Sequence, residues 1–144
     1  MEENREAKVW QRVMAQPRQT PPEDPEAMLR EAAALAAVYR WAVERMTGKK
    51  KQLAHQLLAE EERTVACLRG IGQLSGHALE AVTVWRPGNR EGKGLLEGCY
   101  QRTRRCQTEY TARSLDGQFG EAYRLLAERC GRQCLLLTEL LGSK

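Results

Sequence analysis

The chain has few of the residues from which catalytic sites and membrane segments are usually built. Its two histidines, His55 and His77, belong to no serine or cysteine motif, so no nucleophile–base pair can be recognised. No apolar run approaches the roughly 20 residues that span a membrane, and residues 1–11 are charged and lack the apolar core of a signal peptide. Phenylalanine occurs once and β-branched residues are sparse, which disfavours strands. We therefore expect an all-α protein of the cytoplasm.

The excess of positive charge is small, and the cysteines do not form an obvious disulfide framework. The net charge is 23 − 19 = +4, which is modest for a nucleic-acid-binding domain. The arginines at 102, 104 and 105 and the lysines at 49–51 are therefore interpreted as solvated helix faces. Cys99 and Cys106 lie two helical turns apart, about 10 Å, and a disulfide needs Cα atoms within about 7 Å. We expect the five cysteines to be reduced thiols.

Residues 1–25 are predicted to form an amphipathic arm and a linker, ahead of a bundle domain in residues 26–144. The arm is a short helix over residues 3–15 with Val9, Trp10, Val13 and Met14 on its apolar side. Four prolines follow within residues 16–25, where they cannot be helix interior. A helix this short is marginal by itself, so it packs either on the bundle or on a second subunit or another protein partner.

The rest of the chain is predicted to be a four-helix bundle built from two antiparallel hairpins. The first hairpin is closed at Thr47-Gly48 and the second at Leu115-Asp116-Gly117, because both connections are too short for any other arrangement. Glycines and the turn at Arg86-Pro87-Gly88 make residues 70–94 a looser crossover, with a short helix around 77–84. The four helices are expected at 25–46, 50–70, 95–114 and 118–141.

Two of these helices carry an apolar stripe that polar residues interrupt at the same spacing. Glu61 and Thr64 interrupt the first stripe, and Cys130 and Gln133 interrupt the second, each pair three residues apart on one helix face. Di-iron bundles place a Glu-x-x-His pair at such positions on two of their helices. The first stripe is Leu57, Glu61, Thr64, Leu68 and Ile71, and the second is Tyr123, Leu126, Cys130, Gln133, Leu137 and Leu140.

With these motifs in place, the chain resembles the rubrerythrin-like branch of the ferritin-like superfamily over about residues 26–142. Three segments carry the resemblance: Glu31–Ala42 (EAAALAAVYRWA), Leu57–Leu68 (LLAEEERTVACL) and Phe119–Leu141 (FGEAYRLLAERCGRQCLLLTELL). The resemblance implies a ferritin-like fold with two metal ions between the helices, held by a Glu from each of helices one and three and a Glu-x-x-His from each of helices two and four.

Most of the ligands that the resemblance implies are replaced in this sequence. Only Glu61 matches, as the second-helix glutamate, so it is the candidate remnant metal ligand. Thr64 stands where the histidine belongs, and Glu31 is a weaker candidate beside Ala32 on helix one. The remaining replaced positions are Thr103 on helix three and Cys130 and Gln133 on helix four.

Without these ligands, no cofactor is expected. Two divalent ions need several carboxylates and imidazoles, which one carboxylate with hydroxyls and an amide does not supply. A di-iron centre, a single divalent metal, or a zinc site on inward-facing cysteines near Glu61 remain alternatives. Without metal, Gln133, Thr103 or a tyrosine hydroxyl would hydrogen-bond to the Glu61 carboxyl group. Glu60 and Glu62 would be solvated.

The functional hypothesis that follows is a structural or interaction protein on a bundle that has lost its di-iron chemistry, with a homodimer as one form. The alternative is a di-iron oxidoreductase or peroxidase of the rubrerythrin kind with altered ligands. Its available carboxylates are Glu31, Glu61, Glu97 and Glu128, of which the last two are predicted off the central layer. A third, weaker hypothesis is an adaptor whose arginines bind an acidic partner or nucleic acid.

Overall fold

The part of the chain that the computed structural model describes, residues 25–74, 92–115 and 117–142, is entirely helical. It contains four α-helices and no strand, which confirms the predicted all-α class. The predicted arm at 3–15 and the short helix at 77–84 lie outside the described residues. None of the described helices is long and apolar enough to cross a membrane. The helices are α1 (Pro25–Arg45), α2 (Gly48–Leu74), α3 (Gly92–Arg113) and α4 (Gly120–Gly142).

Backbone geometry defines the two short connections. After α1, Met46 N–H donates to the Ala42 carbonyl at 2.8 Å, and Gly48 has φ 61°, the left-handed conformation that glycine adopts most readily. After α3, Ser114 N–H donates to the Tyr110 carbonyl at 2.9 Å. A Cβ at Gly120 would lie 2.6 Å from the Ser114 carbonyl oxygen, so the start of α4 requires glycine.

Helix α2 is longer than the sequence predicts. The end was expected at Gly70, because a glycine inside a helix costs about 1 kcal/mol relative to alanine. The helix instead continues through Gly72 to Leu74. Leu68 and Ile71 are buried in the interior, and this tertiary packing offsets the low helix propensity of the two glycines.

The four helices pack as a bundle. Helix α1 packs along α2, and α3 packs along α4, as the short connections predict. Contacts between α2 and α4 and between α1 and α3 join the two pairs. Within the described residues, the remaining pairs, α1 with α4 and α2 with α3, make no close backbone contact and therefore lie diagonally across the bundle.

The apolar interior consists of two clusters at opposite ends of the bundle. The first cluster contains Leu35, Val38, Tyr39, Ala42, Leu53, Ala54, Leu57, Leu96, Cys99, Leu137 and Leu140. The second cluster contains Met28, Leu29, Ala32, Leu68, Ile71, Tyr110, Tyr123, Leu126, Ala127 and Cys130. Between the positions that α2, α3 and α4 give to the two clusters lie the buried polar residues, which form the candidate site.

Candidate functional site

The centre of the bundle is a layer of polar side chains between the two apolar clusters. We call this the polar layer; it comprises Glu61 and Thr64 of α2, Thr103 of α3 and Gln133 of α4. All four side chains are 3% exposed or less, and they are the buried polar residues of the described chain. Every residue of the two predicted stripes is buried. The prediction that these two helix faces are buried is therefore confirmed.

Glu61 is the only acidic side chain in the polar layer, and its environment favours the neutral acid. Burial raises the pKa of Glu61 from its ordinary 4.5 to about 8. The Gln133 amide opposes this rise most strongly, while the charge of Glu31 adds to it and that of Arg129 opposes it. Within the described chain, Gln133 Nε2 nevertheless has no hydrogen bond of normal geometry. At neutral pH the layer therefore contains a protonated carboxyl group.

A second polar group in the interior comprises Tyr39, Cys99 and Thr103. Burial raises the pKa of Tyr39 well above its ordinary range, as do the charges of Cys99 and Glu61, and the hydroxyl of Thr103 opposes the rise. Tyr39 Oη and Thr103 Oγ1 are buried, and neither makes a hydrogen bond of normal geometry among the described residues, although the Thr103 hydroxyl lies close enough to Tyr39 to act on its pKa. Buried polar atoms without partners are uncommon in folded proteins, so these two atoms, with Gln133 Nε2, are a distinguishing feature of the interior.

Thr64 does not contribute its hydroxyl to the centre of the layer. Its Oγ1 donates to the backbone carbonyl of Glu60, one turn earlier in α2, at 3.2 Å. Such a bond back to the same helix is common for threonine in a helix interior. The position where the resemblance would place a histidine ligand therefore holds a hydroxyl that is used locally.

Glu31, the weaker ligand candidate, is paired with Arg102 rather than with a residue of the polar layer. Arg102 Nε donates to both carboxylate oxygens of Glu31, at 3.2 and 3.1 Å, and Arg102 Nη2 makes a further contact. Both side chains are between one quarter and one third exposed. The prediction that Arg102 lies on a solvated face is therefore wrong, because the register of α3 against α1 places it opposite Glu31.

Glu60 also differs from the sequence prediction, which made it solvated. Its side chain is only 18% exposed and faces α4, where Arg129 Nε lies 3.0 Å and Arg132 Nη2 3.5 Å from its Oε2. Arg129 and Arg132 are three residues apart and share one face of α4. The spacing of Arg129 and Arg132 is visible in the sequence and indicates a basic face on α4. Only the register between α2 and α4 identifies Glu60 as the partner of that face. Glu62 is exposed, as predicted.

The buried cysteines are neutral thiols. Burial raises the pKa of Cys99 to about 12 and also raises that of Cys130, with the charge of Glu61 acting on both thiols in the same direction. All five cysteines are free. Nowhere in the described ranges do three histidine, cysteine or acidic side chains converge in a way that could hold a metal ion. Glu97 and Glu128 are exposed, as the sequence indicated.

A cleft of about 310 Å³ lies between α1 and α3, beside the Glu31–Arg102 pair. Cys106, which is half-buried, packs against both apolar clusters and forms part of the lining. The cleft therefore approaches the bundle interior at the level of the polar layer. Its lining residues are Met28, Glu31, Arg105, Cys106, Thr108 and Glu109.

Comparisons with protein-family models, with curated proteins and with solved structures found no match for this chain.

Proposed function

We propose that the chain is a ferritin-like bundle of the rubrerythrin type that no longer holds two iron ions and acts as a structural or interaction protein. The observation that carries the proposal is the polar layer. It lies between two apolar clusters, where a bundle of this type would hold its metal ions, but it contains a single carboxyl group, Glu61.

The helix arrangement supports the ferritin-like part of the proposal. Only two residues separate α1 from α2, which favours an antiparallel hairpin. Lys49 Nζ, at the start of α2, lies 3.0 Å from Glu139 Oε1, near the end of α4. That contact favours antiparallel packing of α2 and α4. Two antiparallel hairpins are the arrangement that the sequence predicts, and the contacts between α2 and α4 are consistent with it.

The donor atoms support the loss of the di-iron centre. Two iron ions need several anionic oxygens and imidazole nitrogens. The layer instead offers one carboxyl group with a raised pKa, an amide and two hydroxyls, of which Thr64 is already bonded to Glu60. Glu31, whose charge acts on Glu61, is paired with Arg102. These donors do not fit a pair of iron ions.

Metal analysis of the full-length protein tests this proposal. We expect protein purified from iron-supplemented cells, and protein titrated anaerobically with ferrous iron, to bind well below one iron per chain. Glu61→Ala and the exposed control Glu62→Ala should give the same low value as the wild type. Binding of two irons per chain, lost in Glu61→Ala and kept in Glu62→Ala, would overturn the proposal.

Two unpartnered hydroxyls of the interior favour a second candidate, a metal-dependent oxidoreductase with altered ligands. Tyr39 Oη and Thr103 Oγ1 have no hydrogen bond of normal geometry among the described residues, and with the Glu61 carboxyl they are oxygen atoms of the kind that ligate a metal ion. This candidate requires turnover of peroxide that depends on added metal and disappears in Glu61→Ala. Turnover that is the same in Glu61→Ala and in the wild type would count against it.

A further inference from the structure

Two cysteines of the interior lie at the same level of the pair formed by α3 and α4. The residue that follows Cys106 in α3, Gln107, packs against the residue that follows Cys130 in α4, Gly131. A Cβ placed on Gly131 would lie 3.3 Å from Gln107 Nε2. Cys130 is a buried member of the second cluster, and Cys106 packs against that cluster. The two thiols therefore occupy the same part of the interior, next to the polar layer.

The charges of the two thiols act on the same surroundings. Burial raises the pKa of Tyr110, and the charges of Cys106, Glu61 and Cys130 add to the rise. Burial also raises the pKa of Cys130, and the charges of Glu61 and Cys106 add to that rise. Neighbouring charges act most strongly on a pKa within about 6 Å. These effects agree with two sulfur atoms that lie close together beside the Tyr110 ring.

The other three cysteines are less well placed to pair with either thiol. Cys99 lies two turns from Cys106 on the same helix, about 10 Å away, which exceeds the limit of about 7 Å between the Cα atoms of a disulfide. Cys134 follows Cys130 by one turn, and side chains on one helix face run parallel rather than toward each other. Cys67 of α2 also packs against the second cluster, so it serves below as the control.

Cys106 is the member of the pair that a small molecule can reach. It is half-buried and lines the cleft between α1 and α3 together with Arg105, whereas Cys130 is 4% exposed. The pKa of Arg102 is raised by its hydrogen bonds to Glu31 and, more weakly, by the charge of Cys106. The Arg102 guanidinium therefore lies near enough to attract a thiolate at Cys106. Reactive cysteines are typically found in such partly exposed positions beside a cation.

We propose that Cys106 and Cys130 are a redox-active pair, which a small hydroperoxide entering the cleft converts into a disulfide between α3 and α4. The Cys106 thiolate attacks one peroxide oxygen, the O–O bond breaks, and the other oxygen takes up a proton and leaves as water or an alcohol. The Cys130 sulfur then bonds to the sulfur of the Cys106 sulfenic acid, the S–O bond breaks, and water leaves with the Cys130 proton. The two thiols lose two electrons, which the hydroperoxide gains.

The disulfide changes the connection between two helices and uses no metal ion. It closes a loop over residues 106–130, which contains the turn between α3 and α4. A disulfide stabilises a fold mainly by restricting the unfolded chain, so the oxidised protein should unfold at a higher urea concentration than the reduced protein. The inference does not depend on the proposed function, because it concerns the two thiols and not the ligands of the polar layer.

Peptide mapping of the full-length protein tests the inference, because each of the five cysteines lies in a different tryptic peptide. The reduced, folded protein is treated with one equivalent of hydrogen peroxide in the presence of a metal chelator, and the remaining thiols are then alkylated before digestion. We expect the loss of two thiols per chain and a cross-link between peptides 106–113 and 130–132. A dithiol reductant should restore both thiols.

Three variants assign the two roles. In Cys130→Ser, Cys106 should stop at the sulfenic acid, which dimedone traps, and in Cys106→Ser the cross-link should be absent. Cys67→Ser is the matched control, because Cys67 is also half-buried beside the second cluster, and it should oxidise as the wild type does.

The wild-type map decides the question by itself if a variant does not fold. A cross-link from Cys106 to Cys67 or between two chains would overturn the inference. So would wild-type protein that keeps all its thiols until urea unfolds it, or that accumulates the sulfenic acid without forming the cross-link.

Discussion

At the scale of the residue, the interior is governed by a carboxyl group that the fold keeps neutral. Glu61 ionises near its ordinary pKa of 4.5 when the chain is unfolded, and at about 8 when it is folded. The Gln133 amide, and more weakly Arg129 and Arg102, favour the ionised form of Glu61, but burial outweighs them. Folding at neutral pH therefore takes up a proton at this position.

This difference in pKa predicts how stability depends on pH. Because the folded-state pKa of Glu61 is raised, its contribution to the free energy of unfolding is lost as pH rises from about 4.5 to 8 and is constant above that range. Glu61→Gln removes the titration, so it should stabilise the protein by roughly 3 to 5 kcal/mol at pH 9 and by less than about 1 kcal/mol at pH 5.

Urea unfolding of both proteins across this pH range measures the effect, with the exposed change Glu62→Gln as the control. The free energy of unfolding of the wild type should fall as pH rises, relative to that of Glu61→Gln. The free energy of unfolding of Glu62→Gln should follow that of the wild type. Parallel curves for Glu61→Gln and the wild type would show that Glu61 titrates at an ordinary pKa.

Thr103 allows a separate prediction about the unpartnered atoms. Its Oγ1 is buried without a partner among the described residues, so replacing the hydroxyl by a methyl group in Thr103→Val should be neutral or stabilise the fold by about 1 kcal/mol. Thr64→Val is the matched control, because it removes the bond from Thr64 to the Glu60 carbonyl. If urea unfolding shows Thr103→Val to be destabilised more than Thr64→Val, then the Thr103 hydroxyl does have a hydrogen-bond partner, for which the Tyr39 hydroxyl is available.

At the scale of the element, ion pairs join the two helix pairs on opposite sides of the bundle. Glu31 and Arg102 join α1 to α3, and Glu60 joins α2 to α4 through Arg129. Glu60 Oε2 and Arg129 Nε lie 3.0 Å apart without the angle of a directed hydrogen bond. The contact is therefore an ion pair between two side chains that are each only 18% exposed.

Removing one partner of this pair should cost more than removing a surface charge. We expect Glu60→Ala to destabilise the protein by about 2 kcal/mol, because Arg129 is then left mostly buried without its counter-charge. Glu26→Ala, which removes the exposed pair with Arg30, should cost less than about 0.5 kcal/mol.

Chemical denaturation of the single variants and of Glu60→Ala combined with Arg129→Ala gives the coupling between the two residues. A double variant that is more stable than Glu60→Ala alone would show that the unpaired Arg129 is the source of the loss. Equal losses in Glu60→Ala and Glu26→Ala would mean that the α2–α4 pair is effectively solvated.

At the scale of the whole molecule, the sequence predicts well which residues are buried in the interior. It predicts poorly the ion pairs at the edge of that interior. The 3.6-residue period places Glu61 and Gln133 on buried faces without any knowledge of the neighbouring helices. Glu60 and Arg102 lie beside such faces, where the period alone indicates solvent. Their burial depends on how far one helix is shifted along the next, which sequence spacing within a helix does not specify. The extension of α2 to Leu74 was missed for a related reason, since the partners that stabilise it come from other helices.

The position of the polar layer between two apolar clusters also determines which alignments of the helices are tolerated. Sliding α4 by one turn, about 5.4 Å, would move Gln133 to the depth of Leu137 or Cys130 and bury its amide among hydrocarbon. The same slip of α2 would move Glu61 into an apolar cluster. A uniformly apolar interior would penalise neither error, because one leucine can replace another. The polar layer therefore favours one alignment of the helices over the shifted ones. It does so even where its buried polar groups lower the stability of the fold.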